Sequence, residues 1–565
     1  MAAAAPRQRA GDPAIPERIP AVFPAGWRYP AGGHGVFEQH AIVASDNVLA
    51  AQAGVEVMKE GGNAVDAAVA TGFALAVAYP EAGNLGGGGY MVIRMADGRT
   101  AAIDYREIAP LAATRDMYVG ADGKLTGESV IGPKASGVPG SVAGMLEAHR
   151  KFGVLPLARV LAPALRLAGG FVVDSAMFRS LKGETYRITG FAGKSVFLPN
   201  GAPPAVGSRL VQPQLAHTIR LIADSGAAVF YRGSIADSIA TEMKRVGGLI
   251  TKEDLARYKP IWRTPIQSSY RGYSFIAMPP SSSGGATVTE ILNILEAYGK
   301  PARFGSVEEI HALASASQRA FVDRNSKLGD PAFVTVPLST LTSKAYAKTV
   351  ARTISREHAD PTNRLASGIR EGSETTHYSV VDRFGNAVAT TTTLNDLYGS
   401  GVYVGGAGFF LNDEMDDFTS KVGVPNMFGL IQGEANAIAP GKRMLSAMSP
   451  TIVLDPGGAL LLVTGARGGP RIISATSQII LNIIDHRMSL SDAVSAPRIH
   501  HQALPDSIRA EKSGFEPSVL DALRRMGHDV FEGGSVASSA SIMRVRGGYE
   551  GMGDPRTAGG GAVGY

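Results

Sequence analysis

Glu374-Thr-Thr-His-Tyr-Ser-Val-Val-Asp382 is the stretch on which the reading of this chain turns. Its β-branched and aromatic residues predict a strand. Threonine at such a position is, on strand preference alone, an ordinary strand former. The alternative is chemical. A threonine hydroxyl becomes a nucleophile when its own free α-amine acts as base, and an α-amine titrates at about 7.7–8, where a base is useful near neutral pH. That requires a chain break immediately before Thr375. The residues upstream suit one: 351–374 carries Arg352, Ser355, Arg356, Glu357, Asp360, Pro361, Arg364, Glu371, Ser373 and Glu374, the composition of an exposed, protease-accessible linker.

Downstream the texture changes. Ala387–Leu394 reads as a second strand after the turn Arg383-Phe-Gly-Asn386, and Thr451–Leu454 and Ala459–Thr464 form another hairpin around Asp455-Pro-Gly-Gly458. Arg471–Ile484 reads as a helix packed on these strands. Upstream, Ser45 or Asp46 is expected to cap a helix reaching Glu60, which Gly61-Gly62 stop; Asn63 caps a second, Ala64–Tyr79, closed by Pro80. The second is apolar nearly all round and should be deeply buried. Asn84-Leu-Gly-Gly-Gly-Gly-Tyr90 then leads into the strand-like Met91–Arg94. The order helix, glycines, strand does not fit a dinucleotide fingerprint, and no Gly-Lys-Ser/Thr follows, so the glycines point to close backbone approach or unusual dihedrals. Residues 140–350 read as mostly helical with Gly/Pro breaks. This mixture favours a layered α/β or α+β fold.

Composition narrows the chemistry. The 565 residues are 45% apolar and 19% charged, which excludes dominant disorder. Lys plus Arg exceed Asp plus Glu by 55 − 50 = +5, the cations are dispersed, and nucleic-acid binding is not expected. With no cysteine, disulfides, thiolate catalysis and Cys-ligated metals are excluded. His500 and His501 are adjacent and point to opposite faces of a strand, no His-Glu-x-x-His occurs, and no metal site is expected. No apolar run of ~20 residues predicts a membrane span. Residues 1–35, with six prolines, read as an extended, poorly ordered arm, and Met1–Pro6 does not read as a signal peptide.

The run Thr375–Asp382, together with Thr391-Thr-Thr-Leu-Asn395, Asn412-Asp-Glu-Met-Asp-Asp-Phe418 and Lys442-Arg-Met-Leu-Ser-Ala-Met-Ser-Pro450, closely resembles the γ-glutamyltransferase (γ-glutamyl transpeptidase) family. So do Glu60-Gly-Gly-Asn-Ala-Val-Asp-Ala-Ala68, Asn84–Gly89 and Ile103-Asp-Tyr-Arg-Glu-Ile-Ala-Pro110. The similarity runs from about residue 40 to Tyr565, with several independent motifs in order. It implies an α+β N-terminal-nucleophile hydrolase sandwich, helix–sheet–sheet–helix, and a proenzyme that cuts itself between Glu374 and Thr375. A large subunit, 36–374 behind the 1–35 arm, and a small one, 375–565, would remain together. No cofactor is implied. The implied substrates are a γ-glutamyl donor such as glutathione and an amino-acid or peptide acceptor. The family is typically exported, so a periplasmic or secreted location is implied, although no export signal is read in this numbering.

Residue by residue, the resemblance makes Thr375 the nucleophile and Thr393 its hydrogen-bond partner, with Gly468-Gly469 supplying oxyanion-hole amides. Arg106 would grip the donor α-carboxylate and Asp417 its ammonium, with Asn395, Glu414 and Ser446 around the same head group. Without the motif context, Thr393 would be a strand threonine, Gly468-Gly469 a turn, and Arg106 and Asp417 surface charges. Two positions depart from the family. A second serine is usual where Ala447 stands, so one hydroxyl donor is missing, worth about 1 kcal/mol. Phe428, in the lid segment Val424–Leu430, replaces a frequent tyrosine, removing a latch to Asn395 and predicting a looser lid that favours hydrolysis. Two rivals stand beside this reading. One is a cephalosporin (glutaryl) acylase on the same scaffold, which Asp417 opposes and Ala447 permits. The other is an unprocessed, inactive homologue.

Overall fold

The computed structural model describes residues 17–362 and 374–565. The opening segment forms the strand Glu374–Val381, which pairs on one side with Ala387–Asn395 and on the other with Ile42–Ser45. This antiparallel sheet continues through Gly88–Arg94, Thr100–Asp104 and Ile261–Arg263, and its other edge is Gly561–Gly564. A second antiparallel sheet is centred on the hairpin Thr451–Leu454 and Leu460–Thr464, flanked by Tyr273–Ala277 and by Ser538–Val545. Side chains from both sheets, among them Ile42, Tyr90, Ala389, Ile276, Ile452 and Ile542, interleave into one buried layer.

Helices cover both outer faces. On the first sheet lies the pair Val48–Lys59 and Ala64–Ala78. The second of these is buried at every residue, and Asn63 and Asp66 form a reciprocal capping box at its start. The first is capped by Asn47, not Ser45 or Asp46: the Asn47 side chain accepts from the Ala50 N–H, which frees Asp46 to point elsewhere. On the second sheet lie Gly284–Tyr298, Val307–Lys327 and Arg471–Ile484. The expected helix–sheet–sheet–helix sandwich is present.

Three features differ from the expectations. Residues 140–350 contribute five strands: Phe171–Val172 and Arg209–Leu210 pair with each other, and Ile261–Arg263, Ile266–Tyr270 and Tyr273–Ala277 extend the two main sheets; all are short and several only partly apolar, so their alternation is weak. The described part of the arm is extended but held: Trp27 is buried, its indole N–H donates to the Ser495 carbonyl at 2.9 Å, and Gly32 N–H reaches Asp492. The described start of the linker is tethered, through Thr362 N–H to Asp506 and Arg319 to Asp360, although Arg352, Thr353, Arg356, Glu357 and His358 are exposed as expected. The first sixteen residues of the arm and residues 363–373 of the linker lie outside the described residues.

The four-glycine run is explained by backbone approach. A Cβ on Gly86 would sit 2.1 Å from the Phe410 carbonyl oxygen, and one on Gly87 2.1 Å from that of Thr393. Gly87→Ala is therefore expected to destabilise the protein by ~3 kcal/mol or more, since the Thr393 carbonyl belongs to a paired strand and cannot yield without disturbing the sheet. Gly183, in the helix Ser175–Gly183 with open space around it, is the contrast. Gly183→Ala should raise stability by roughly 0.5–1 kcal/mol. Urea midpoints of the two variants against the parent check both signs.

Candidate active site

Thr375 sits at an irregularity in its strand. Glu374 pairs with Asn395 and Thr376 with Thr392, so Thr375 alone faces two residues, Thr393 and Leu394. Such bulges re-aim a side chain and are frequent beside active sites. Thr393 Oγ1 accepts the Asn395 N–H at 2.8 Å, and Asn395 itself adopts φ +82°, a region few residues other than glycine enter. The Asn395 amide is pinned by donating to the Asp413 carbonyl at 3.1 Å. Behind the strand, Asp46 accepts from the Thr376 hydroxyl at 3.0 Å and the His377 N–H at 3.2 Å, fixing the residues after Thr375. Burial raises Asp46 to about 6, against the opposing pull of Arg467. His377 is the nearest imidazole in sequence, but its ring hydrogen-bonds Thr391 and Ser379 and burial drives its pKa down to about 3. It stays neutral at working pH.

Gly468 and Gly469 adopt φ +131° and +57° and lead through Pro470 into the helix Arg471–Ile484. No acceptor among the described residues takes either glycine N–H. Two amides without a partner among the described residues, at the positive end of a 14-residue helix, are arranged to receive negative charge. Gly469 borders the cleft, and a methyl there would meet the Phe428 ring at 2.8 Å; Gly468 is set back against Ala537.

Arg106 leaves the end of the strand Thr100–Asp104, its N–H held by Asp104 at 3.1 Å. Its buried guanidinium meets Glu414 at 2.6 Å, hydrogen-bonds Asp417, and lies 3.6 Å from Glu107. Glu414 and Asp417 come from the 3₁₀ turn Glu414–Asp417. Burial opposes the Arg106 charge, but Glu414 and Asp417 outweigh it and hold its pKa above the ordinary value. The acids pay the reverse: burial raises Glu414 and Asp417 against the pull of Arg106, and pushes Glu107 up to about 7. Burial thus disfavours the charged form of all three acids while Arg106 favours it, and a ligand ammonium beside them would favour it further.

The lid segment is anchored differently from the expectation. Phe428 is buried against Gly469, and its carbonyl accepts from Gln502 at 3.3 Å. Asn395 still touches the lid, through Met427 Sδ at 3.4 Å, and the Met427 N–H donates to Asp416 at 3.0 Å.

Thr375, Thr393, Asn395, Arg106, Glu414, Asp417, Ser446, Phe428 and Gly469 thus line one cleft. Ala447 lines it too, with a methyl where a hydroxyl was missed. The residue that sequence reading passed over is Arg324, 1% exposed and on the same wall. A signal existed: Ile310, Ala314, Ser317, Phe321 and Arg324 follow one helical stripe, and all are buried. An arginine on that stripe is not a surface charge.

Residues 50–564 match the family described as Gamma-glutamyltranspeptidase. A Glutathione hydrolase proenzyme of Escherichia coli (strain K12) is 48% identical over 541 residues, covering 94% of this chain and 93% of the relative. An Acylase ACY 1 proenzyme of Pseudomonas sp. (strain SE83) is 39% identical over 514 residues, 89% of each. Among solved structures, a cephalosporin acylase from Bacillus halodurans superposes with a TM-score of 0.84 at 29% identity, covering 96% of this chain and 99% of that one.

Proposed function

This chain belongs to the gamma-glutamyltranspeptidase family, and on that footing we propose that it is a self-cleaving γ-glutamyltransferase and glutathione hydrolase. The observation that carries the reading is that Thr375 shares a cleft with fixed charges of both signs. An α-amino-acid head group, carboxylate and ammonium on one carbon, is the ligand that such a cleft suits.

In the precursor the Thr375 hydroxyl attacks the Glu374 carbonyl, and the acyl group moves from nitrogen to oxygen. Water hydrolyses the ester, leaving a carboxylate on Glu374 and a free amine on Thr375. The large and small subunits, ending and beginning there, stay together because the new terminus belongs to a central strand of a shared sheet. In turnover, the α-amine takes the proton from Thr375 Oγ as it attacks the γ-carbonyl of the donor. The oxyanion sits against the Gly468 and Gly469 amides, one such donor being worth about 3 kcal/mol. The proton passes to the leaving amine, for glutathione the cysteinylglycine nitrogen, and an acyl-enzyme remains. Water, or the amine of an amino acid or short peptide, then releases glutamate or a new γ-glutamyl amide. Thr393 and Asn395 orient the nucleophile, and Arg106, Glu414, Asp417 and Ser446 hold the head group.

The cephalosporin-acylase reading has its own support in Ala447 and the Bacillus halodurans likeness. A glutaryl group, however, has no ammonium to relieve the acids around Arg106. Terminal sequencing of the small fragment, with rates on γ-glutamyl-p-nitroanilide and glutaryl-7-aminocephalosporanic acid, tests the choice. Turnover of the glutaryl compound alone overturns it. No helix among the described residues is long and apolar enough to cross a membrane. The reading extends to action in the periplasm or outside the cell, supported by the family resemblance and checked by cell fractionation.

The acid limb of the pH profile distinguishes two bases. An α-amine must be neutral to accept a proton, so kcat/KM should rise with pH through about 7.7–8. Glu107, pushed up to about 7, also ionises near there. The limb is expected to persist in Glu107→Gln; its disappearance in that variant would assign it to the carboxylate instead.

A further inference from the structure

Arg324 differs from Arg106 in one respect that bears on substrate choice. Arg106 is already matched by Glu414 and Asp417. Arg324 has no carboxylate within ion-pair distance among the described residues, although Asp417 is near enough to favour its charge. Its Nε donates to Ser283 Oγ at 2.9 Å, and its Nη1 to Asn325 Oδ1 at 2.8 Å and Gln432 Oε1 at 3.2 Å. Nη2 has no acceptor among the described residues. Burial lowers its pKa to about 10, so it remains a cation near neutral pH. A buried cation without an anion is a costly arrangement in an empty cleft and a favourable one once an anionic ligand arrives.

The neighbours say where that anion would lie. Ser283 holds the Ser446 carbonyl through both its hydroxyl and its N–H, the latter at 2.8 Å, so Arg324 is braced against the segment carrying Ser446 and Ala447. Through Gln432, which donates to the Asp417 carbonyl at 3.1 Å, it is tied to the other end of the head-group site. It therefore stands beside the position where Ala447 withholds a hydroxyl.

We propose that Arg324 is a donor-binding residue whose free guanidinium edge takes an oxygen of the donor α-carboxylate, sharing that group with Arg106 and Ser446 and replacing the hydroxyl that Ala447 lacks. The inference rests on the γ-glutamyl reading above and adds to it a second cation that selects acyl donors bearing an α-carboxylate.

The test compares Arg324→Gln and Arg324→Lys with the parent on γ-glutamyl-p-nitroanilide, with L-glutamate and 4-aminobutyrate as competitive inhibitors; the second lacks only the α-carboxylate. Self-cleavage and melting temperature are followed for each variant. In Arg324→Gln, KM and the inhibition constant of L-glutamate are expected to rise at least tenfold. The kcat should stay within threefold and 4-aminobutyrate inhibition within twofold. Arg324→Lys, which keeps the charge, should recover much of the loss. Equal weakening of both inhibitors, or a fall in kcat with KM unchanged, overturns the proposal and makes Arg324 a brace for the Ser446 segment. If Gln fails to cleave itself, the Lys variant decides: a modest rise in its L-glutamate constant with 4-aminobutyrate inhibition unchanged supports the proposal, and either no rise or an unselective change sinks it. Absence of γ-glutamyl turnover in the parent sinks the underlying reading; parent turnover without selective loss in the variants sinks this inference alone.

Discussion

Thr375→Ala is expected to leave the chain as a single uncut polypeptide of 58.9 kDa and to lower γ-glutamyl-p-nitroanilide hydrolysis by a factor on the order of 10⁵–10⁶. Both losses have one origin. In the proposed mechanism the hydroxyl that opens the Glu374–Thr375 bond is the same one that later accepts the acyl group, and alanine supplies neither step. The fold should survive, because the position lies at a bulge where pairing is already interrupted and a smaller side chain creates no clash. A melting temperature close to that of the parent separates lost chemistry from lost structure. Thr375→Ser keeps a hydroxyl and should restore cleavage, slowly, since serine lacks the methyl that fixes the rotamer. Edman degradation of the small fragment of Thr375→Ser should begin with serine. Cleavage of the alanine variant at the same bond would show that another group, or a contaminating protease, makes the cut, and the mechanism would fall.

How much of this was legible beforehand depended on the range of the forces involved. The strand at Glu374, the hairpin partner at Ala387, the buried helix after Asn63 and the helix after Pro470 all declared themselves through local signals: β-branched runs, caps, stops and apolar periodicity. The strands near residues 261–277 did not, because short, mixed-polarity strands owe their state to the sheets they join. Arg106 and Asp417 were legible only as motif members. That they are partners of each other, 311 residues apart in sequence, is a tertiary fact. Likewise Asp46 read as a helix cap and turned out to brace the strand that carries Thr375, since Asn47 takes the cap. Arg324 lies in none of the motifs that the sequence reading used, and only its phase on the helix places it inside.

Asp417→Asn should cut kcat/KM for γ-glutamyl-p-nitroanilide by about a hundredfold or more, corresponding to ~3 kcal/mol for removing one charge from a buried set. The carboxylate has two duties. It pairs with Arg106, and on the proposed reading it is also the acid that receives the α-ammonium of a bound donor. Asparagine keeps the shape and the acceptor oxygen but not the charge, so the penalty measures electrostatics instead of a cavity. The companion effect separates the two acylase chemistries. A glutaryl donor brings no ammonium, and lowering the negative charge of the cleft removes a repulsion against its second carboxylate. Its rate, relative to that of the γ-glutamyl donor, should therefore climb by at least the factor that the latter loses. pH gives a second handle with a fixed sign. Burial raises the pKa of Asp417 above the ordinary carboxylate range, so the carboxylate becomes neutral at a higher pH than an exposed aspartate would. Donor affinity in the parent should weaken as the solution is acidified through that range, while in Asp417→Asn the same acidification should change KM far less. A KM in the asparagine variant that follows pH as steeply as in the parent would mean that another group receives the ammonium, with Glu414 the next to be replaced.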